Sequence, residues 1–210
     1  MIKAILFDFD RVLCFDRFYE EMLLPHHQGL YDWMQKNIFD NEDLFRQWMR
    51  NELKTDDIHK IIASKTDYQE DFLDEVLSEN LKSIRLDKEM LNLANNLKRK
   101  HHKKIALITN NMDVFSSVIV KNLKLNDIFD VVINSADYGC LKTEEGGRLF
   151  DEALSFLNEK IENCLLIDDS FKNINFFKQK DGQGFLYNNN FKELTNFLKT
   201  SKLKVNILDR

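Results

Sequence analysis

Apolar residues in this chain fall into short continuous runs separated by longer periodic stretches. Runs at 2–7, 105–109, 131–134, 165–167 and 184–187 have the length and composition of buried strands. Helical patterns lie between the later ones. Val114, Val118, Ile119 and Leu123 share one helical face, and so do Phe150, Ala153, Leu154 and Leu157. Ile174, Phe176 and Phe177 form a third apolar cluster. Strands alternating with helices of this length predict βαβ units and a parallel sheet flanked by helices.

The stretch 16–84 breaks that rhythm. It has no strand pattern, and its apolar residues recur at helical spacing: Leu30, Trp33 and Met34, then Leu44, Phe45, Trp48 and Met49, then Ile58, Ile61 and Ile62, then Phe72, Leu73, Val76 and Leu77. Asn41 followed by Asp43, and Thr55 followed by Asp56 and Asp57, mark helix starts. The expectation is an α/β core over 1–15 and 85–210, with an all-helical insertion over 16–84. A terminal alternation of Leu203, Val205 and Ile207 suggests one more edge strand.

Composition narrows the function classes. The 210 residues are 43% hydrophobic, ample for one core, and the net charge of −5 lacks the basic excess of a nucleic-acid binder. The one basic run, Lys98 to Lys104, follows a helical pattern, and cations there complement a helix C-terminus. Three cysteines at irregular spacing are not a disulfide framework, and no C-x-x-C is present. No apolar stretch reaches the length of a membrane span, and Asp8 and Asp10 interrupt the first run before a signal core could form. A soluble cytoplasmic protein with no nucleic-acid or membrane partner is expected.

Candidate chemistry sits where the strands end. The first run stops at Asp8-Phe9-Asp10, and side chains at i and i+2 of a strand point the same way. Two carboxylates so placed repel each other unless a cation or a proton lies between them, which predicts a divalent metal or a pair with separated pKa values. The second run ends at Thr109-Asn110-Asn111 before a helix, whose N-terminus suits an anion. The third leads through Gly139 to Lys142, and the fourth ends at Asp168-Asp169-Ser170, with Ser170 set to cap the next helix. Open α/β sheets bind ligands at the carboxyl ends of their strands, so these groups should share one rim. Carboxylate oxygens select Mg²⁺, while ammonium, hydroxyl and backbone N–H groups suit a phosphoryl group.

This arrangement resembles the haloacid dehalogenase superfamily, in the subclass with a helical C1-type cap. The matching elements are Asp8-Phe9-Asp10, Thr109, Lys142, and Asp168-Asp169 with Asn173 downstream. The resemblance implies an Asp8 nucleophile forming an aspartyl-phosphate, Asp10 as general acid and then base, and Thr109, Asn110 and Lys142 holding phosphoryl oxygens. It implies Mg²⁺ held by Asp8, Asp10 through its carbonyl, and Asp168 and/or Asp169. Within the resemblance, Asp10 and the Asp168-Asp169 pair argue for a phosphatase or phosphomutase over a dehalogenase, and a phosphatase acting on a small phosphorylated metabolite, such as a sugar phosphate, is the leading expectation. A phosphomutase of the β-phosphoglucomutase kind and a weakened phosphate-binding or regulatory member are the alternatives. Two departures stand out: Arg11 occupies a usual glycine position, and the segment from Lys142 to Phe150 lacks the family's proline and is about two residues longer than its usual spacing. Arg17, His26 and His27 are candidate cap contacts outside the expected site.

Overall fold

The computed structural model describes residues 1–201. Five strands form one parallel sheet, β1 (Ala4–Phe7), β2 (Lys104–Thr109), β3 (Val131–Asn134), β4 (Cys164–Asp168) and β5 (Gln183–Leu186), in the order β3-β2-β1-β4-β5. Each expected strand is present, with ends shifted by a residue or two. The terminal alternation at 203–207 lies outside the described residues.

Burial on both faces explains why these strands read as continuous apolar runs instead of alternating ones. Ile5, Phe7, Ile105, Leu107, Leu165 and Ile167 face one core, while Ala4, Leu6, Ala106, Ile108, Cys164 and Leu166 face the other. Helices cover both sides. The second core is closed by α10 (Arg148–Leu157) and α11 (Phe171–Gln179), through Leu149, Phe150, Ala153, Ile174 and Phe177. The first is closed by α6 (Lys88–Arg99) and α12 (Phe191–Thr200), through Met90, Leu93, Leu97, Leu194 and Leu198.

Between β1 and α6 the chain is helical, as its periodicity predicts. It forms α1 (Glu20–Leu23), α2 (Gln28–Met34), a π-helical turn (Gln35–Phe39), α3 (Glu42–Met49), α4 (Thr55–Lys65) and α5 (Glu70–Ser83). Their buried stripes (Leu30, Met34, Trp48, Ile58, Leu73 and Leu77 among them) merge with the first core. Short pieces, α7 (Val120–Asn122), α8 (Leu125–Ile128) and α9 (Ser135–Tyr138), flank β3. The helix expected from Val114 begins as a second π-helical turn, Phe115–Ile119. Among the described residues, no helix is long and apolar enough to cross a membrane.

Local chemistry sets the helix ends. Asn41 caps α3 by accepting from the Leu44 N–H at 3.2 Å, as its position predicts. Thr55 is not a cap but the first residue of α4. Its hydroxyl and N–H both donate to Asp113 Oδ1, at 2.6 and 3.2 Å, so the start of α4 is capped from the loop after β2. Trp48 Nε1 donates to the same hydroxyl at 3.3 Å. The basic run spans the end of α6 and the start of β2, and both of its ends are paired: Lys98 with Asp130 at 2.9 Å, and Lys104 with Glu159 at 3.0 Å.

Asp113→Ala should remove the capping acceptor of α4 and leave two donors seeking water. We expect a loss of about 1–2 kcal/mol in urea-monitored unfolding, with little change in the α/β core signal.

Candidate active site

Reversal of strand order around β1 opens a crevice at the carboxyl ends of β1, β2 and β4. Asp8 leaves β1 directly into it. Its Oδ1 accepts from the Phe9 N–H at 2.7 Å and lies 2.7 Å from Lys142 Nζ. That ammonium also lies 2.8 Å from Asp168 Oδ2, at the end of β4. Lys142 is 1% exposed and Asp168 is 0% exposed, so the pair is out of bulk water. Asn173 Nδ2 donates to both Asp168 oxygens at 3.1 Å, and the Ser170 N–H donates to Oδ1 at 2.8 Å. Ser170 also caps α11, as predicted.

These contacts decide the charges. Burial works against the Lys142 ammonium, but Asp168 and Asp8 outweigh it and its pKa is raised. Asp8 is raised well above the usual carboxylate range by burial and by the Asp168 charge, with Lys142 pulling the other way. Asp10 is pushed up to about 6, chiefly by burial, although Lys142 opposes it. Thus the two aspartates expected to separate in pKa sit in different surroundings. Asp8 is bolted to an ammonium, while Asp10 faces the cleft with Asn111 Nδ2 on its Oδ2 at 3.0 Å.

The turn after β2 builds the opposite wall. Thr109 is 0% exposed, and its Oγ1 has no hydrogen-bond partner among the described residues. A buried hydroxyl without a partner is rare enough to need a cause, and an absent ligand at this strand end is one. Asn110 turns its Oδ1 to the Lys142 N–H at 2.9 Å, so its side-chain oxygen braces the lysine loop. Asn111 is fixed by its own N–H, which donates to Asn134 Oδ1 and Ser135 Oγ at 3.1 and 3.0 Å. Asn111 was missing from the expected set, because its sole sequence signal is its place two residues after Thr109.

Asp8, Asp168 and Asp169 can each offer a carboxylate oxygen within 4.8 Å of the others. The Asp10 carboxylate stands outside that group. Such an all-oxygen donor set fits a hard divalent cation. Within it, Asp168 has both oxygens engaged by Lys142 and Asn173, while Asp169 is held more loosely, by its own backbone N–H and by Arg11 Nη1 at 3.8 Å.

Both departures from the family pattern are accommodated. Arg11 adopts φ 57°, the left-handed conformation that glycine takes without cost. The altered loop still delivers Lys142, because Glu144 anchors it. Glu144 accepts from the Leu141 N–H at 2.9 Å, from Arg46 Nη2 at 2.6 Å, and from Arg50 Nε at 2.8 Å. Arg50 Nη2 bonds it as well, and Arg50 with its companions holds the Glu144 carboxyl down to about 2. Arg46 belongs to α3 and Arg50 follows directly after it, so this anchor ties the helical segment to the lysine loop. Arg17 borders the cleft beside Asp10. His27 packs instead with Tyr68 and Phe72, and neither His26 nor His27 lines that cleft.

A family model of haloacid dehalogenase-like hydrolases matches residues 2–179. The chain belongs to the haloacid dehalogenase-like hydrolase family. Solved structures share its fold. A predicted haloacid dehalogenase-like family hydrolase from Porphyromonas gingivalis aligns at TM-score 0.73 and 17% identity, over 96% of this chain and 100% of that one. A family enzyme from Bacteroides thetaiotaomicron, in complex with magnesium and inorganic phosphate, aligns at TM-score 0.63 and 16% identity, over 88% and 93%. The L-2-haloacid dehalogenase of Xanthobacter autotrophicus aligns at TM-score 0.65 and 15% identity, over 88% and 76%. No curated protein matches the chain.

Lys142→Met would leave Asp8 and Asp168 buried together without a cation. We expect a cost of about 3–5 kcal/mol at neutral pH. Because Asp8 is already raised, the penalty for its charge appears as pH rises, so the variant should lie closest to wild type near about pH 4 and furthest near about pH 8 in thermal melts. Glu144→Gln should show the same direction of pH dependence for a different reason. The folded pKa of Glu144 is about 2 against an ordinary 4.5, so its contribution is complete above the ordinary value and is lost as pH falls through about 2. A loss of about 1–2 kcal/mol at pH ~7, vanishing near pH ~2, is expected after allowing for partial exposure.

Proposed function

We propose that the protein is a Mg²⁺-dependent phosphatase that hydrolyses a small phosphorylated metabolite through an aspartyl-phosphate on Asp8. The observation that carries this reading is the juxtaposition at the β1 and β2 ends: a carboxylate fixed by Lys142, and across from it the buried, unpartnered hydroxyl of Thr109. A phosphoryl oxygen would supply the partner that Thr109 lacks.

Asp8 Oδ1 is held by the Phe9 N–H and Lys142, which leaves Oδ2 to attack phosphorus. As the phosphorus–oxygen ester bond breaks, Asp10 gives its proton to the leaving oxygen. Its elevated pKa keeps a protonated fraction available near neutrality. In the second half, the Asp10 carboxylate takes a proton from water, the resulting hydroxide attacks phosphorus, and the bond to Asp8 breaks to release phosphate. Asn111 orients Asp10 throughout. Thr109 and Lys142 hold phosphoryl oxygens, while Asn110 contributes by bracing the lysine loop.

A magnesium ion would neutralise charge that builds on the phosphoryl group. Asp8 and Asp169 are our choice of direct carboxylate ligands, with the Asp10 carbonyl. Asp168, saturated by Lys142 and Asn173, positions the lysine instead. The helical segment 16–84 is read as the cap over the core of 1–15 and 85–210, excluding water from the reacting centre. The reading extends to a cytoplasmic protein, since its three cysteines are all free and buried.

A screen of phosphate esters with Mg²⁺ should release inorganic phosphate. Asp8→Asn should reduce turnover by about 10³-fold or more, and chelation of the metal should abolish it. Asp169→Asn should erase the thermal shift caused by Mg²⁺. Halide release from a haloacid without phosphate release, full activity in Asp8→Asn, or transfer of phosphate to a second sugar hydroxyl as the main reaction would each overturn the proposal.

A further inference from the structure

Two cations lie near the phosphoryl cradle without taking part in holding it together. Arg11 follows Asp10 directly, and Arg17 lies further along the same loop. Both border a cleft of about 180 Å³ together with Asp10, Phe15 and Phe39. Both also border an adjoining hollow of about 450 Å³, where Asp169 and Tyr187 join them. Neither space is lined by Asp8, Thr109 or Lys142. The arginines therefore face whatever lies beyond the phosphoryl group, on the side where Asp10 would protonate the leaving oxygen.

Arg11 holds a strained backbone, φ 57°, at a turn where glycine would be relaxed. Its side chain is 64% exposed, and its ion pair with Asp169 is a single long contact at 3.8 Å. Among the described residues, no ion pair involves Arg17, whose guanidinium instead meets the Tyr31 hydroxyl. Lys142 already balances Asp8 and Asp168, so neither arginine is needed to hold those carboxylates. Planar guanidinium groups match the oxygen geometry of a carboxylate or a phosphate, and two of them beside phenylalanine walls suit a short carbon skeleton ending in an anion.

We propose that Arg11 and Arg17 form a second anion subsite, and that the substrate is a phosphate monoester whose short carbon skeleton carries a further carboxylate or phosphate. This rests on the phosphatase reading for the phosphoryl end of the substrate. The bond cleaved and the proton path are those already described; the subsite adds recognition of the leaving group.

The test is calorimetric titration of Asp8→Asn protein, saturated with Mg²⁺, with three probes: propylphosphonate, phosphonopropionate and propylene bisphosphonate. The two probes with a second anion should bind at least about tenfold more tightly than propylphosphonate, and the tighter of them identifies the anion. Adding Arg17→Gln or Arg11→Gly should each reduce that preference about fivefold or more. Arg11→Gly relieves the strained backbone, so misfolding would not account for its loss. Equal binding of the three probes, no binding of any, or a preference that survives both substitutions overturns the subsite. A preference that depends on the arginines supports it even if wild-type protein releases no phosphate from any ester, and in that case only the phosphatase reading falls.

Discussion

The ammonium of Lys142, buried between Asp8 and Asp168, is the interaction on which this site depends. Without it, two carboxylates would sit at adjacent strand ends in a region that water does not reach, an arrangement that costs far more than a parallel sheet can spare. With it, three charged groups from β1, β4 and the loop after β3 become one rigid unit. That unit sets the spacing of everything else on the rim. Asn173 and the Ser170 N–H complete the Asp168 end, and the Phe9 N–H completes the Asp8 end, so few polar atoms are left over to reorganise.

Around this unit the site divides into a closed side and an open side. On the closed side Asp168, Lys142 and Thr109 are dry and fixed. On the open side Asp10, Asp169 and Arg11 meet the cleft. The division explains why neighbouring aspartates behave differently despite identical chemistry. Asp8 is committed to an ammonium and a backbone N–H, whereas Asp10 has one amide contact and a pKa displaced into the range useful for proton transfer.

Much of the α/β core was legible because its signals are local. Five buried strands read as apolar runs, and the first four are each followed by polar residues at the rim, so Asp8, Asp10, Thr109, Lys142 and Asp168 were singled out by position. The helical character of 16–84 was legible for the same reason. What escaped depends on contacts distant in sequence. Asn111 is informative only because Asn134 and Ser135 turn it toward Asp10. Glu144 looked like part of an irregular loop, yet it is the residue that fixes the loop by meeting Arg46 and Arg50, which lie 98 and 94 residues earlier in the chain. Thr55 read as a helix cap, and it became a donor to Asp113 because the cap comes from another part of the fold. Asp168 and Asp169 looked equivalent as a pair. Only the Lys142 and Asn173 contacts tell them apart.

The position of β1 in the sheet has a consequence for how the molecule comes into being. It precedes the other four strands of this sheet in the chain and is the central one, flanked by β2 and β4, with Phe7 in register with Leu107 on one side and Ile167 on the other. Both partners are remote along the chain, so closing the centre of the sheet requires long loops to be ordered before any contact rewards them, which slows folding. During synthesis Asp8 and Asp10 emerge early but have no sheet, no ammonium and no opposing wall until β4 has left the ribosome. The carboxylate pair is therefore placed in its final surroundings only in the last stages of folding, and a partial chain carries Asp8 without the ammonium and the wall that surround it.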